Sequence, residues 1–397
     1  MLIERITSAG LAGHDGLRDL VLHAGRVAAI EPPSRSDAPG VLDAGGRVVV
    51  PAFVDAHVHL DKAFVLHDAE ALGSCEPRLD AAIATVDRLR KELDVGAVQV
   101  RAEEAVATLA RHGVVAARAH VEVVPDAEVD LLDLHLGLVE GCRDLLELQL
   151  VAFPQLGLQR SGAIDRLTAA MDDGATVVGG CPYVDDDPAA HLDAVFALAE
   201  RHRAPVDLHL DFDDDPARSQ LELVIERTNA LGMAGRVTVG HCTTLAAFGA
   251  GRRQEAFDRL AAAGIALVVL PVTDLYLGGH GDPGTRSLAP LEQAAAAGVR
   301  VAIANNNLAN PFAPFGNGSL LQAAWLAGVT RRLGSPSQRQ LLLDAITVAP
   351  AEILGRDPHG AVVGSVADLV LLDTSDPDAA VSQAPAVLAT LRKGHLR

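Results

Sequence analysis

Eight short apolar runs recur along the chain, near residues 51–59, 114–123, 146–154, 175–181, 205–211, 237–243, 265–272 and 299–306. Each has the length of a strand, and the stretches between them carry helical apolar spacing, as in Ala189 to Arg203 and Ala217 to Leu231. Such alternation makes parallel strands with crossover helices, because a parallel neighbour can be reached only by a long return connection. Eight units close most economically on themselves, which predicts an α/β chain with a (β/α)8 TIM barrel over residues 51–349. The flanks, residues 1–50 and 350–397, break the alternation with short β-like runs, Leu20 to His23, Arg26 to Ile30 and Asp368 to Leu372, set among Gly, Pro and Asp. The two chain ends are therefore expected to pair into one small β-sandwich beside the barrel.

With 397 residues, 49% of them hydrophobic, the chain can bury a large core. A formal net charge of -19 and no Lys/Arg-rich run argue against a nucleic-acid partner, since phosphate binding needs clustered positive charge. No apolar run approaches the roughly 20 residues of a membrane span, and Met1 to Arg5 opens no signal-like apolar segment, so a cytoplasmic protein without a membrane partner is expected. Cys75, Cys142, Cys181 and Cys242 are too dispersed for a metal-binding pair and read as reduced thiols. Phosphate-loop, nucleophile-elbow and small zinc-deaminase motifs are all missing from the sequence.

Histidines mark the ends of three of these runs. His57 and His59, in Val54-Asp55-Ala56-His57-Val58-His59, lie two apart, so on a strand they face the same way and can grip one ion. His209 ends the fifth run and His241 the sixth. Residues at the carboxyl ends of barrel strands converge on one mouth, where neutral imidazoles suit zinc, iron, nickel or cobalt with a position left for water.

The order of these histidines resembles the amidohydrolase superfamily. Further pieces resemble its cytosine deaminase branch: His57 to Asp61, Val151-Ala152-Phe153-Pro154-Gln155, Gly240 to Thr244, and Asn310-Pro311-Phe312 with Pro314-Phe315-Gly316. The resemblance implies one divalent metal ion, zinc or iron, that activates water, an acidic group that shuttles protons, and a strand-eight aspartate that holds metal and nucleophile. It also implies a small-molecule substrate and a homo-oligomer. His57, His59 and His209 then look like metal ligands, and His241 like either a fourth ligand or a hydrogen-bonding catalytic group. Ala175 to Pro182 contains no lysine, so the bridging ligand of two-metal relatives is missing and one metal is expected.

Two departures separate this chain from that pattern. Phe212 stands where the branch has a glutamate three residues after the strand-five histidine, and Asn305-Asn306-Asn307 stands where it has the strand-eight aspartate, at Asn306. Asparagine offers a neutral carbonyl and two donors but takes no proton from water. Substitutes for the acid/base group are Asp211 and Asp213, which share strand parity with His209, Glu122, and Asp274 just after the seventh run. Asp213 to Asp215 also read as a solvated turn or helix start, because Pro216 follows. Gln155, Asn305, Asn306 and Asn307 are candidate substrate-binding amides, with Phe212 as an apolar wall. Lys62, one of three lysines, is placed to orient an anionic group or to pair with an acid, and Trp325 reads as core packing.

The expectation is thus a hydrolase acting on a C–N bond of a small cyclic amide, amidine or amino-heterocycle, but not an ordinary cytosine deaminase. Two alternatives stay open: metal-assisted lyase or isomerase chemistry, and a silent ligand-binding homologue.

Overall fold

In the computed structural model, described for residues 1–35, 38–72, 76–91, 94–125, 130–279 and 287–397, the eight apolar runs form one parallel sheet. Its strands are Phe53–Val58, Val114–Glu122, Glu147–Phe153, Val177–Gly180, Val206–Leu210, Val237–His241, Ala266–Val269 and Val301–Ile303, hydrogen-bonded in chain order. They are counted here as barrel strands one to eight. Strand eight returns to strand one through the parallel bridge Val58–Asn306, so the sheet curls into a barrel. All eight are buried along almost their whole length, as expected of strands covered by helices outside and packed side chains within.

The predicted helices are present as Pro188–His202 and Leu221–Ala230. Asp187 caps the first by accepting from the Ala190 N–H, and Pro188 fits the first turn because it has no N–H to leave unpaired. Trp325 departs from expectation. The helix Leu320–Arg331 turns Leu320, Leu321, Ala323, Ala324 and Ala327 inward, which leaves the indole 45% exposed.

Both chain ends contribute to two four-stranded sheets packed as a sandwich. One holds Arg5–Ala9, Arg18–His23, Arg26–Glu31 and Val41–Asp43; the other joins Val48–Pro51 to Leu369–Leu372, Val387–Arg392 and His395–Leu396. Period-two alternation lets the second sheet serve two cores. Val49, Leu369 and Leu371 face the sandwich interior with Ile3, Ile6 and Leu20, whereas Val48, Val50, Val370 and Leu372 belong to the barrel's apolar cluster. The sandwich is thereby fastened to the outside of the barrel. No helix among the described residues is long and apolar enough to cross a membrane.

Cys142, Cys181 and Cys242 are free and buried, and burial pushes the Cys142 thiol up to about 11 and Cys181 up to about 12. Cys75 lies outside the described residues.

Candidate active site

Strands one, five and six deliver their histidines to the same mouth. His57 Nε2 lies 3.1 Å from His209 Nε2, and His59 Nε2 lies 3.2 Å from it. Three nitrogens bound to one tetrahedral ion at about 2.0–2.1 Å would stand roughly 3.3 Å apart, so the trio is already spaced as a ligand set. The surroundings fit the same purpose. His59 Nδ1 is 3.2 Å from the His120 carbonyl, a bond that puts the ring proton on Nδ1 and leaves the Nε2 lone pair for the trio. Burial, reinforced by neighbouring positive charge, holds His57, His59 and His209 well below the ordinary imidazole range, so all three are neutral donors.

Packing fixes the ring planes. His57 stacks on His120 with centroids 3.6 Å apart, and His209 stacks on Phe153 at 4.7 Å. Gly240 lies against the His57 ring, where a β-carbon would stand in ordinary van der Waals contact, 3.4 Å from His57 Nδ1. Beneath the rings, fully buried Arg118 donates to Asp207 at 2.6 Å and to Gln149 at 2.7 Å. Even so, burial outweighs Arg118 and lifts the Asp207 carboxyl to about 6.

The backbone around the mouth is conformationally unusual. Asp211, His241, Cys242 and Asn306 all have positive φ, 52°, 68°, 48° and 62°. Each such non-glycine residue costs of order 1–3 kcal/mol, and their clustering at the ends of strands five, six and eight matches the habit of functional sites to store strain.

Above the trio opens a narrow cleft lined by His59, His209 and His241 with Lys62, Gln155, Asn306, Asn307 and Thr273. Leu79, Tyr183, Phe212 and Phe312 complete it as apolar walls. No carboxylate is among these lining residues.

The expected site residues divide accordingly. His59, His209, His241, Gln155, Phe212, Asn306 and Asn307 face the cleft, and His57 lies beside it in the trio. Asn306 is held by its backbone: its N–H donates to His57 O and its carbonyl accepts from His59 N–H, both at 2.8 Å. Its Oδ1 is buried without a partner among the described residues. Asn307 is largely spent, since its amide donates to Thr273 Oγ1 at 3.2 Å and accepts from Asn310 at 2.8 Å. Among the described residues Gln155 makes only a long contact, its Nε2 donating to Cys181 Sγ at 3.6 Å. The amide edges free to meet a ligand are therefore those of Gln155 and Asn306.

Three expectations are corrected. Asn305 does not reach the cleft: its amide donates to Asp55 Oδ2 at 2.7 Å and to the Gly318 carbonyl at 3.3 Å, tying strand eight to strand one. Asp55, buried there, has its carboxyl raised to about 6 by desolvation. Asp211 is turned away by its left-handed backbone, and its carboxylate accepts from the Gln220 N–H at 2.8 Å, from Thr244 at 3.2 Å and from Ser219. Among the described residues two groups have ligand spacing, His57, His59 and His209 at the cleft and His57, His120 and Asp207 beneath it, and neither takes in His241. His241 Nδ1 instead meets Asp274 Oδ1 at 2.6 Å, with Asp274 fully buried behind it.

The other candidates have plain structural places. Asp215 caps the short turn Pro216–Arg218, and Asp213 pairs with Arg218 at 2.9 Å. Lys62 pairs with Glu122 at 3.5 Å, a carboxylate shared with Arg90, while its ammonium also sits 5.3 Å from the Phe312 ring centroid. Leu79 and Thr273 were not anticipated; they come from loop-borne helices whose approach to the mouth leaves no periodic trace in the sequence. Tyr183 belongs to no motif of the sequence, and Phe312 was visible only within Asn310-Pro311-Phe312.

Comparison with known proteins agrees with this architecture. The chain is 29% identical over 405 residues to pterin deaminase of Rhizobium rhizogenes strain K84, covering 99% of this chain and 91% of that one. It is 27% identical over 407 residues to N-isopropylammelide isopropyl amidohydrolase of Pseudomonas sp. strain ADP, covering 98% and 96%. The crystal structure of 5-methylcytosine deaminase from Klebsiella pneumoniae, liganded with 5-fluorocytosine, matches with a TM-score of 0.91 at 27% identity over 99% of this chain and 96% of that one. Residues 78–396 match the amidohydrolase family as a whole, and with four-fifths of its length so accounted for, the chain belongs to that family.

Proposed function

We propose that this protein is a metal-dependent hydrolase that cleaves a C–N bond, by deamination or ring opening, in a small cyclic amide, amidine or amino-heterocycle. The observation that carries the reading is the convergence of three neutral imidazoles at 3.1 and 3.2 Å on the floor of a cleft. His57, His59 and His209 would hold one divalent ion, zinc or iron. Bound there, such an ion supplies Lewis-acid activation of water, whose pKa falls from about 16 toward 7.

The remaining residues define the substrate. Phe212 and Phe312 offer flat apolar walls for a planar ring, and Gln155 and Asn306 offer amide edges that pair with ring carbonyl and N–H groups. The relatives are named for action on pterin, 5-methylcytosine and N-isopropylammelide, all nitrogen heterocycles. Phe212 and Asn306 stand in place of the branch's glutamate and aspartate, so the substrate and the proton path differ from those of an ordinary cytosine deaminase. The lack of a carboxylate among the described lining residues also favours a second reading, lyase or isomerase chemistry in the same cleft.

Metal analysis of the purified protein, then an ammonia-release and product-mass screen over pyrimidines, triazines, pterins, hydantoins and lactams, tests the proposal. Hydrolysis gives loss of ammonia or amine, or addition of one water. An isobaric product would replace hydrolysis by isomerisation, and stoichiometric metal without turnover would leave a binding protein.

A further inference from the structure

We propose that the substrate of this cleft carries a negative charge, on a ring oxygen or a ring carboxylate, and that Lys62 is the side chain that meets it. The inference rests on the reading of the cleft as a heterocycle site and narrows that site's substrate to a planar oxyanion. Besides the three imidazoles, Gln155, Asn306, Asn307 and Thr273 are uncharged and the walls are apolar, so among the described lining residues Lys62 carries the one permanent charge.

That charge is buried and unspent. Lys62 is 4% exposed, and its ammonium has no hydrogen-bond partner among the described residues. A buried ammonium with three idle N–H donors is costly unless something accepts from them. Glu122 stands 3.5 Å away but closer to Arg90, so two cations share that carboxylate. Asp61 belongs to a second hollow that shares only Lys62 with the cleft, and it makes no ion pair with Lys62 among the described residues. Asp274, behind His241, has both oxygens engaged, one by His241 Nδ1 at 2.6 Å and the other by the Leu270 N–H at 3.2 Å.

Arg118 shows what a fully bonded buried cation looks like in this chain. Its guanidinium donates to Asp207, Gln149, Thr238 and the Ile353 carbonyl. Lys62 has no such set. Its ammonium lies instead 5.3 Å from the Phe312 ring centroid and 5.6 Å from that of Phe153. Ring faces attract a cation without accepting its hydrogen bonds in full, so the ammonium is held in place with its donors open to a ligand. Phe312 is also a wall of the cleft, which puts the charge beside the surface a flat ring would stack on. An ion held by His57, His59 and His209 would add its own positive charge, because imidazole ligands bring none of the negative charge of a carboxylate. With Phe212 and Asn306 on the lining in place of acids, an anion meets no like charge there.

Isothermal titration calorimetry with three probes built on one ring tests this. Uracil is neutral, barbiturate carries its charge on a ring oxygen, and orotate carries it on a ring carboxylate. At neutral pH the wild-type protein should bind at least one anion about 10- to 100-fold more tightly than uracil, the range of one hydrogen bond to a charged group. Whichever anion is preferred tells which of the two positions bears the charge. In Lys62→Met, at equal metal content, the preference should shrink to within about threefold. A merely structural loss would weaken all three probes together and leave their ratio alone. Lys62→Gln, which keeps donors without the charge, takes the place of Lys62→Met if that variant fails to fold. Equal wild-type affinity for all three probes, a preference above about threefold in a folded variant, or no binding of either anion at millimolar concentration would each overturn the proposal. These readouts need no turnover. Failure of every substrate in the hydrolysis screen would sink the hydrolase reading, while the affinity ratio would still decide the charge.

Discussion

Replacing Arg118 with methionine should destabilise the protein by about 4–6 kcal/mol, because among the described residues its guanidinium is the strong counter-charge to Asp207 beneath the histidines. Arg118 is 1% exposed and Asp207 fully buried; their bond is 2.6 Å, and the same guanidinium serves Gln149 at 2.7 Å, the Ile353 carbonyl at 3.0 Å and Thr238 at 3.3 Å. Breaking a buried pair from one side typically costs about 3–5 kcal/mol, because the other charge is left without compensation. The Ile353 carbonyl and Thr238 hydroxyl, left unpaired, add of order 1 kcal/mol. At roughly 2 °C per kcal/mol for a chain of this size, the midpoint in thermal unfolding at one fixed scan rate should drop by about 8–12 °C. The double variant Arg118→Met/Asp207→Leu removes both charges, so its loss should fall short of the summed single losses by at least about 2 kcal/mol. The damage should also reach the site. Asp207 Oδ1 is 3.7 Å from His120 Nε2, and His120 stacks on His57, so an Asp207 side chain no longer held by Arg118 would disturb the ring that positions His57. Competition titration with a zinc chelator should then show weakened binding in Arg118→Met. Additive losses within about 0.5 kcal/mol in the double variant, or a single-variant loss below about 1 kcal/mol, would refute the reasoning.

His57→Ala, His59→Ala and His209→Ala should each abolish stoichiometric binding of a divalent ion, read by elemental analysis after gel filtration, whereas His241→Ala should retain it; chelator treatment of wild-type protein should lower its melting temperature by removing a ligand of the folded state alone. On the proposed correspondence of Phe212 and Asn306 with an acidic pair, Phe212→Glu with Asn306→Asp should raise ammonia release from amino-heterocycles above background; no gain in a folded, metal-loaded double variant would break that correspondence.

Much of the architecture was legible because it repeats. Strand and helix periodicity report local burial, and each of the eight barrel strands overlaps a run visible in the sequence. Parity did the same for His57 and His59, whose shared face follows from two-residue spacing alone. Parity failed at Asp211, which shares it with His209 but follows the last strand residue, Leu210. There the backbone enters the left-handed region and the rule for extended chain ceases to apply. Asn305, Asn306 and Asn307 read alike in sequence, yet the first closes the barrel against Asp55, the second faces the cleft and the third is tied to Thr273 and Asn310. Adjacent identical residues acquire different roles because their backbone angles differ, and those angles depend on strands far away in the chain.

The sequence by itself determined the alternating βα plan, the strand-end histidines and the strongly acidic net charge, since each is written in local periodicity or composition. Only the tertiary structure decided that His209 joins His57 and His59, 152 and 150 residues away, while His241 turns to Asp274. Those choices are set by barrel closure and by ring-to-ring packing, which join segments whose separation along the chain carries no record of their distance in space.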